Sequence, residues 1–92
     1  MLASERVAEI ERRLRAALAP RQLRVVDDSA RHAGHAGARD GRGHFDVEIE
    51  SASFAGQGLL ARHRQVYAAL GEMMQTDIHA LAIQARAPGE GR

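Results

Sequence analysis

Two stretches of the chain carry apolar side chains at the spacing of one helix face. The first helix is predicted over about residues 5–18, with Ser4 as its N-cap, on the stripe Val7, Ile10, Leu14 and Leu18. Pro20 ends this pattern, because proline cannot continue a helix. The second helix is predicted over about residues 59–74, on the stripe Leu59, His63, Val66, Leu70 and Met73. Each helix therefore has one face to bury.

Three short segments with β-branched or alternating residues predict strands. The first is "LRVVDD", residues 23–28, and the third is "IHALAIQAR", residues 78–86. The second is "HFDVEIES", which starts at His44 and alternates between an inward apolar set and an outward, largely acidic set that includes His44. In the third strand, strict alternation groups His79 with Leu81 and Ile83.

The order of these elements predicts an α+β fold, α-β-β-α-β, with a three-stranded mixed sheet and both helices packed on one face. The first two strands are expected to pair antiparallel. The second and third, joined through the second helix, are expected to run parallel with a right-handed connection. Two helices with one apolar stripe each cover one sheet face. The predicted core contains Leu14, Phe45, Val47, Ile49, Val66, Leu70, Leu81 and Ile83.

Residues 29–43, "SARHAGHAGARDGRG", have no apolar periodicity and predict a flexible loop. A loop of this length in so small a protein is usually functional or disordered. It carries His32 and His35. The last six residues, 87–92, predict a polar tail that frays. With 92 residues in all, we expect a single domain over 1–92.

Composition removes several classes of function. The chain has no Cys, so it contains neither a disulfide nor a thiolate metal ligand. Its 13 basic residues, all Arg, nearly balance 12 acidic ones, which argues against a dedicated polyanion binder. No hydroxyl nucleophile lies near a credible base and no nucleotide-binding glycine pattern is present, so we expect no enzyme.

Any metal site in this chain would have to use imidazoles, and each histidine has a structural alternative. His63 is either a buried, hydrogen-bonded side chain or a ligand. His79, at the start of a strand, is either packed or a ligand. The loop pair His32 and His35 is either solvated or captures a metal. His44 is interpreted as a structural residue on the wet face of the second strand.

The chain resembles the BolA family over nearly its full length. The main match is "FAGQGLLARHRQVYAAL", which fits the family pattern F-x-G-x5-R-H-R-x-V-Y-x-x-L at Phe54, Gly56, Arg62, His63, Arg64, Val66, Tyr67 and Leu70. The second match is "IHALAIQA", and "VVDDS" and "HFDVEI" support it. The resemblance implies a class II KH-like arrangement of the α-β-β-α-β fold.

The resemblance also implies a function. BolA-like proteins pair with monothiol glutaredoxins and share a 2Fe-2S cluster with the glutaredoxin and glutathione. The BolA partner supplies the histidine that opens the last strand, which matches His79, and a His or Cys from the loop between the first two strands. His32 is the best match for this loop ligand, with His35 as the alternative. Two imidazoles in place of thiolates make such a cluster less negative and raise its potential. We therefore expect a non-enzymatic adaptor for iron–sulfur cluster assembly, trafficking or iron and redox sensing.

Two other functions remain open. The first is a KH-like DNA-binding transcriptional regulator of stress response and cell morphology, with Arg62, His63 and Arg64 on its nucleic-acid or partner surface. The glycines in "GQG" do not form the G-x-x-G loop of RNA-binding KH modules. We expect only weak DNA binding, because the outward face of the second strand is acidic and repels phosphates. The second is a histidine-only zinc or copper site. We expect at most a weak homodimer, no membrane association and a cytoplasmic location.

Overall fold

The computed structural model describes residues 2–32 and 41–90, apart from the side chains at positions 3, 31 and 32. Its helices are α1 (Ala3–Leu18), α2 (Leu59–Leu70) and the single turn α3 (Met73–Thr76). Its strands are β1 (Gln22–Asp27), β2 (Gly43–Glu50) and β3 (Ile78–Arg86), with 3-10 turns at Ser29–His32 and Ala52–Phe54. The predicted α+β class and element order are confirmed, with α3 as an addition.

The three strands form one mixed sheet in the order β1-β2-β3. β1 pairs antiparallel with β2, and β2 pairs parallel with β3, as predicted. The inward set of β2 lies in the core, where Phe45, Val47 and Ile49 are each at most 1% exposed. All three strands are therefore registered so that their apolar sets face the helices.

The core lies between the helices and this inner sheet face. Six of the eight predicted members are fully buried in one cluster, and Leu81 and Ile83 are half-buried against it. Both edge strands leave part of their side chains accessible, which explains the partial burial of this pair. The core also contains residues outside the predicted set: Ile10, Leu18, Phe54, Met73, Ile78 and Ala87.

The structure corrects the start of the first predicted helix and the end of the second. α1 begins two residues earlier, with Leu2 as N-cap, whose backbone N–H donates to the Glu5 carboxylate at 2.9 Å; Ser4 lies inside the helix. α2 stops at Leu70 because Gly71 adopts φ +56°, a conformation that favours glycine. The predicted second helix is thus two helices.

The predicted stripe of the second helix is wrong at its start. Leu59 is 70% exposed and Leu60 62% exposed, whereas Val66 and Leu70 are fully buried. Periodicity identified the helix, but full burial begins only after its first turn. Among the residues that the structure describes, no helix is long and apolar enough to cross a bilayer.

Candidate metal-binding site

His79 lies at the amino-terminal end of β3, where the pairing with β2 is irregular. Gly43 pairs with Ile78 and His44 pairs with Ala80, so the register of the two strands skips His79. This bulge lets Ile78 enter the core at 0% exposure and leaves His79 exposed. Strict alternation had grouped His79 with Leu81; that prediction is wrong, because a bulge re-aims one side chain.

The ring of His79 lies beside that of His44 on the neighbouring strand. The two ring centroids are 5.3 Å apart and the ring planes are inclined by 49°. His44 belongs to the outward set of β2, as predicted, but it is only 9% exposed, so the prediction that its side chain is solvated is wrong. A shallow depression of the open sheet face, lined also by Asp28, Asp46 and Ala80, contains it. Two imidazoles therefore meet at this end of the sheet.

Arg42 contacts His79 directly. Its Nη2 lies 3.1 Å from His79 Nδ1. A guanidinium has donors only, so Nη2 donates and Nδ1 accepts. The neutral His79 ring in this contact therefore carries its proton on Nε2. Arg42 was not identified from the sequence, because it lies in the segment 29–43 that was predicted to be a flexible loop.

Short hydrogen bonds hold the backbone next to the two rings. The Ser29 N–H donates to Asp27 Oδ1 at 2.8 Å, and the His44 N–H donates to Ser29 Oγ at 3.0 Å. Gly43 leaves no room for a side chain, since a Cβ there would lie 2.7 Å from the Phe45 ring. The end of β2 is thus tied to the turn that follows β1.

The predicted loop ligands lie at the limit of what the structure describes. His32 is the last residue of the 3-10 turn Ser29–His32, so the first residues of the predicted flexible loop are helical. The side chain of His32 is not among those described, and His35 lies outside the described residues. The assignment of the loop ligand to either histidine remains a prediction.

The described residues do not by themselves complete a metal site. Within residues 2–32 and 41–90, no group of three His, Cys, Asp or Glu side chains is arranged to hold a metal. His79 is exposed, and imidazole nitrogen is a ligand for iron in proteins. These residues fit a cluster whose remaining ligands come from elsewhere.

Arg62 is part of the scaffold and does not present a free cation. It forms a bidentate ion pair with Glu90, with both N–O distances 2.7 Å, and is 13% exposed. It also donates to the carbonyls of Gln57 and Ala85 at 2.8 and 3.1 Å. The hydrogen bonds from Arg62 lower the pKa of Glu90 to about 2. These contacts hold the predicted tail against the fold up to Glu90, and its fraying remains a prediction.

The other two residues of the "RHR" motif, His63 and Arg64, have different surroundings from Arg62. Arg64 is exposed on α2. His63 is half-buried, and within the described part of the chain its Nε2 is buried without a hydrogen-bond partner. The expectation that hydrogen bonds satisfy a buried His63 is therefore not met at this nitrogen.

Comparison with known proteins gives the family. A family model described as BolA-like protein matches residues 14–90. The chain belongs to the BolA family. It is 46% identical over 74 residues to the DNA-binding transcriptional regulator BolA of Escherichia coli, a match that covers 80% of this chain and 68% of that protein.

Two plant proteins extend the BolA-family comparison. Protein BOLA1, chloroplastic, of Arabidopsis thaliana is 41% identical over 88 residues, which cover 92% of this chain and 55% of that protein. The solved BolA domain of SufE1 from Arabidopsis thaliana has a TM-score of 0.84 at 38% identity, and the match covers 99% of this chain and 100% of that one. The chain thus spans about half of the chloroplast protein. The cytoplasmic location expected for this BolA-family chain remains a prediction.

Proposed function

We propose that this BolA-family chain is a non-enzymatic adaptor that shares a 2Fe-2S cluster with a monothiol glutaredoxin and glutathione. The observation that carries the proposal is the bulge at the start of β3, which presents His79 to solvent beside the ring of His44. A strand end that is fixed by pairing holds a ligand rigidly and still lets a partner approach it.

The ligand inventory supports a shared cluster over a private site. The chain has no Cys, and the described residues offer no set of three ligands. A cluster needs four protein or thiol ligands, so glutaredoxin and glutathione would supply the thiolates. His79 is the first imidazole in this proposal. His32 is the second, with His35 as the alternative.

The test is reconstitution of the chain with a monothiol glutaredoxin, iron, sulfide and glutathione, followed by pulsed EPR of the reduced complex. We expect two strongly coupled nitrogens in the wild type. His79→Ala should abolish the histidine signature, His32→Ala should remove one nitrogen, and His35→Ala should remove none. The reverse result for the two loop variants would assign the ligand to His35. The absence of any coupled nitrogen in the wild type would refute the mechanism.

His44→Ala belongs in the same series because its ring lies 5.3 Å from that of His79. If His44→Ala removes one nitrogen while both loop variants retain two, the second ligand is His44. In that case the shared cluster stands and the assignment of its second ligand to the loop is wrong.

A DNA-binding regulator is the second candidate, and the name of the Escherichia coli relative favours it. The surface of this chain supports it less. Arg62 is held by Glu90, and the open sheet face carries Asp46 and Glu48, with Arg24 paired to Glu48 at 3.4 Å. We expect weak binding that falls steeply with salt. A submicromolar, sequence-selective complex at physiological salt would favour the regulator.

A further inference from the structure

The contact between Arg42 and His79 determines which metal species can reach the imidazole. A metal needs the lone pair of an unprotonated ring nitrogen. In the observed contact, Nδ1 uses its lone pair to accept from Arg42 Nη2 at 3.1 Å, and Nε2 carries the proton. Neither nitrogen of His79 is therefore available to a metal while the contact lasts.

Ligation through either nitrogen breaks this contact. A metal on Nδ1 takes the lone pair that Arg42 uses. A metal on Nε2 moves the proton to Nδ1, where it faces the donors of the guanidinium. Arg42 therefore has to move away from His79 in both cases. Arg42 directly precedes β2, and its side chain is only partly exposed.

The charge of Arg42 also distinguishes between metal species. A free divalent cation next to a guanidinium is repelled, and the repulsion is larger than between two single charges. An oxidised 2Fe-2S core has two positive charges, and two thiolates neutralise them, so the assembled cluster is not repelled. One electron makes the assembly negative, and a nearby guanidinium then attracts it.

We propose that Arg42 is a specificity-determining residue that keeps His79 closed to free divalent cations and yields to a thiolate-ligated cluster. This inference rests on the proposed function only in taking His79 as the ligand. It concerns the free chain, so it can be tested without glutaredoxin.

The first measurement is the tautomer of His79 in the free wild-type chain. Long-range proton–nitrogen correlation of the imidazole, at a pH where His79 is neutral, should show an unprotonated Nδ1 and a protonated Nε2. Arg42→Ala should lose this preference, and Arg15→Ala, which removes the same charge from an exposed position on α1, should keep it. A protonated Nδ1 in the wild type would overturn the proposal.

The second measurement is calorimetric titration of the free chain with Zn²⁺ alone. Arg42→Ala should bind Zn²⁺ about five- to tenfold more tightly than the wild type, the effect of one charge removed near a divalent cation after partial screening. Arg15→Ala should match the wild type. Arg42→Lys keeps the positive charge and N–H donors, and should stay close to the wild type.

A double variant assigns the gain to His79. Arg42→Ala combined with His79→Ala should lose the added Zn²⁺ affinity. If Arg42→Ala does not bind more tightly, or if the gain persists without His79, Arg42 does not control this imidazole. Failure here leaves the heterodimer test unaffected, whereas a heterodimer without a cluster refutes the proposed function whatever Zn²⁺ does.

Discussion

The two ends of β3 use charged side chains in opposite ways. At the carboxyl end, Arg86 pairs with Glu50 at 3.2 Å and donates to Gln22, and Arg62 is held by Glu90. At the amino end, His79 is exposed and accepts a hydrogen bond from Arg42. Ion pairs within the chain hold the carboxyl end of the strand, whereas the amino end presents a candidate metal ligand.

This difference shows that motif membership does not reveal a residue's role. Arg62 and His79 both belong to the sequence motifs that carry the family resemblance. Arg62 joins α2 to the end of β3 and to the residues after it. His79 makes the bulge that presents an imidazole. The first is part of the scaffold and the second is the candidate ligand.

The largest expected loss of stability is that of a core variant, which changes neither end of β3 and serves as the reference. Leu70→Ala removes a fully buried side chain from the core and should lower the free energy of unfolding by about 2–5 kcal/mol. Ile83→Ala removes a half-buried side chain and should cost less. Urea denaturation measures both. An equal or larger loss for Ile83→Ala would mean that the core extends further over β3 than the structure shows.

Arg62→Ala tests the ion pair that holds the carboxyl end of β3. It removes four hydrogen bonds and leaves Glu90 without its guanidinium, so the denaturant midpoint should fall clearly. Arg64→Ala is the matched control, since this neighbouring arginine is exposed. Its midpoint should stay close to that of the wild type. Equal losses in both variants would remove the distinction between a scaffold arginine and a surface arginine.

Acid should weaken the ion pairs of the scaffold. Hydrogen bonds from Arg62 lower the pKa of Glu90 to about 2, and those from Arg12 and then Arg13 lower the pKa of Glu9 to about 2, both from 4.5. A lowered folded-state pKa stabilises the fold above the unfolded value, and this stabilisation is lost as pH falls.

Stability should therefore decline between pH 4.5 and about pH 2. Urea denaturation across this range measures the decline, and Glu90→Gln should make it shallower because its side chain does not titrate. A wild-type stability that stays constant over the same range would contradict the ion pairs seen here.

The smallest expected effect on stability is that of His79→Ala. The side chain is exposed and contacts Arg42 and the ring of His44, so the free energy of unfolding should change by about 0.5 kcal/mol or less. Denaturation of the free variant measures this. A loss comparable to that of Leu70→Ala would show that His79 is a scaffold residue, and the contrast between the two ends of β3 would disappear.

Local pattern was sufficient for most of the fold. Alternation in β2 identified Phe45, Val47 and Ile49 as the inward set, and helical spacing identified Leu14 and Leu70. Both signals are periodic, so they are visible within a single segment. The spacing of apolar residues within one segment does not show which turns of a helix pack against other elements. The exposure of Leu59 was missed for that reason.

The candidate site was only partly accessible from the sequence. His79 and the loop pair were recognised through the family resemblance, whereas the burial of His44 and the contact of Arg42 were not. The predicted parallel pairing of β2 and β3 contained a signal for His44, since it brings residues 44 and 79 to the same sheet end. The same pairing brings Arg42 to this sheet end, but it does not predict which side chain Arg42 contacts.

The sequence by itself determined the order of the elements, the polarity of the strands and most of the core, because these follow from the spacing of apolar residues along one segment. The tertiary structure decided the bulge at His79, the Arg42 contact 37 residues away and the pairing of Arg62 with Glu90 across 28 residues. Ion pairs and bulges depend on which segments meet and in which register. That information arises only when the chain packs.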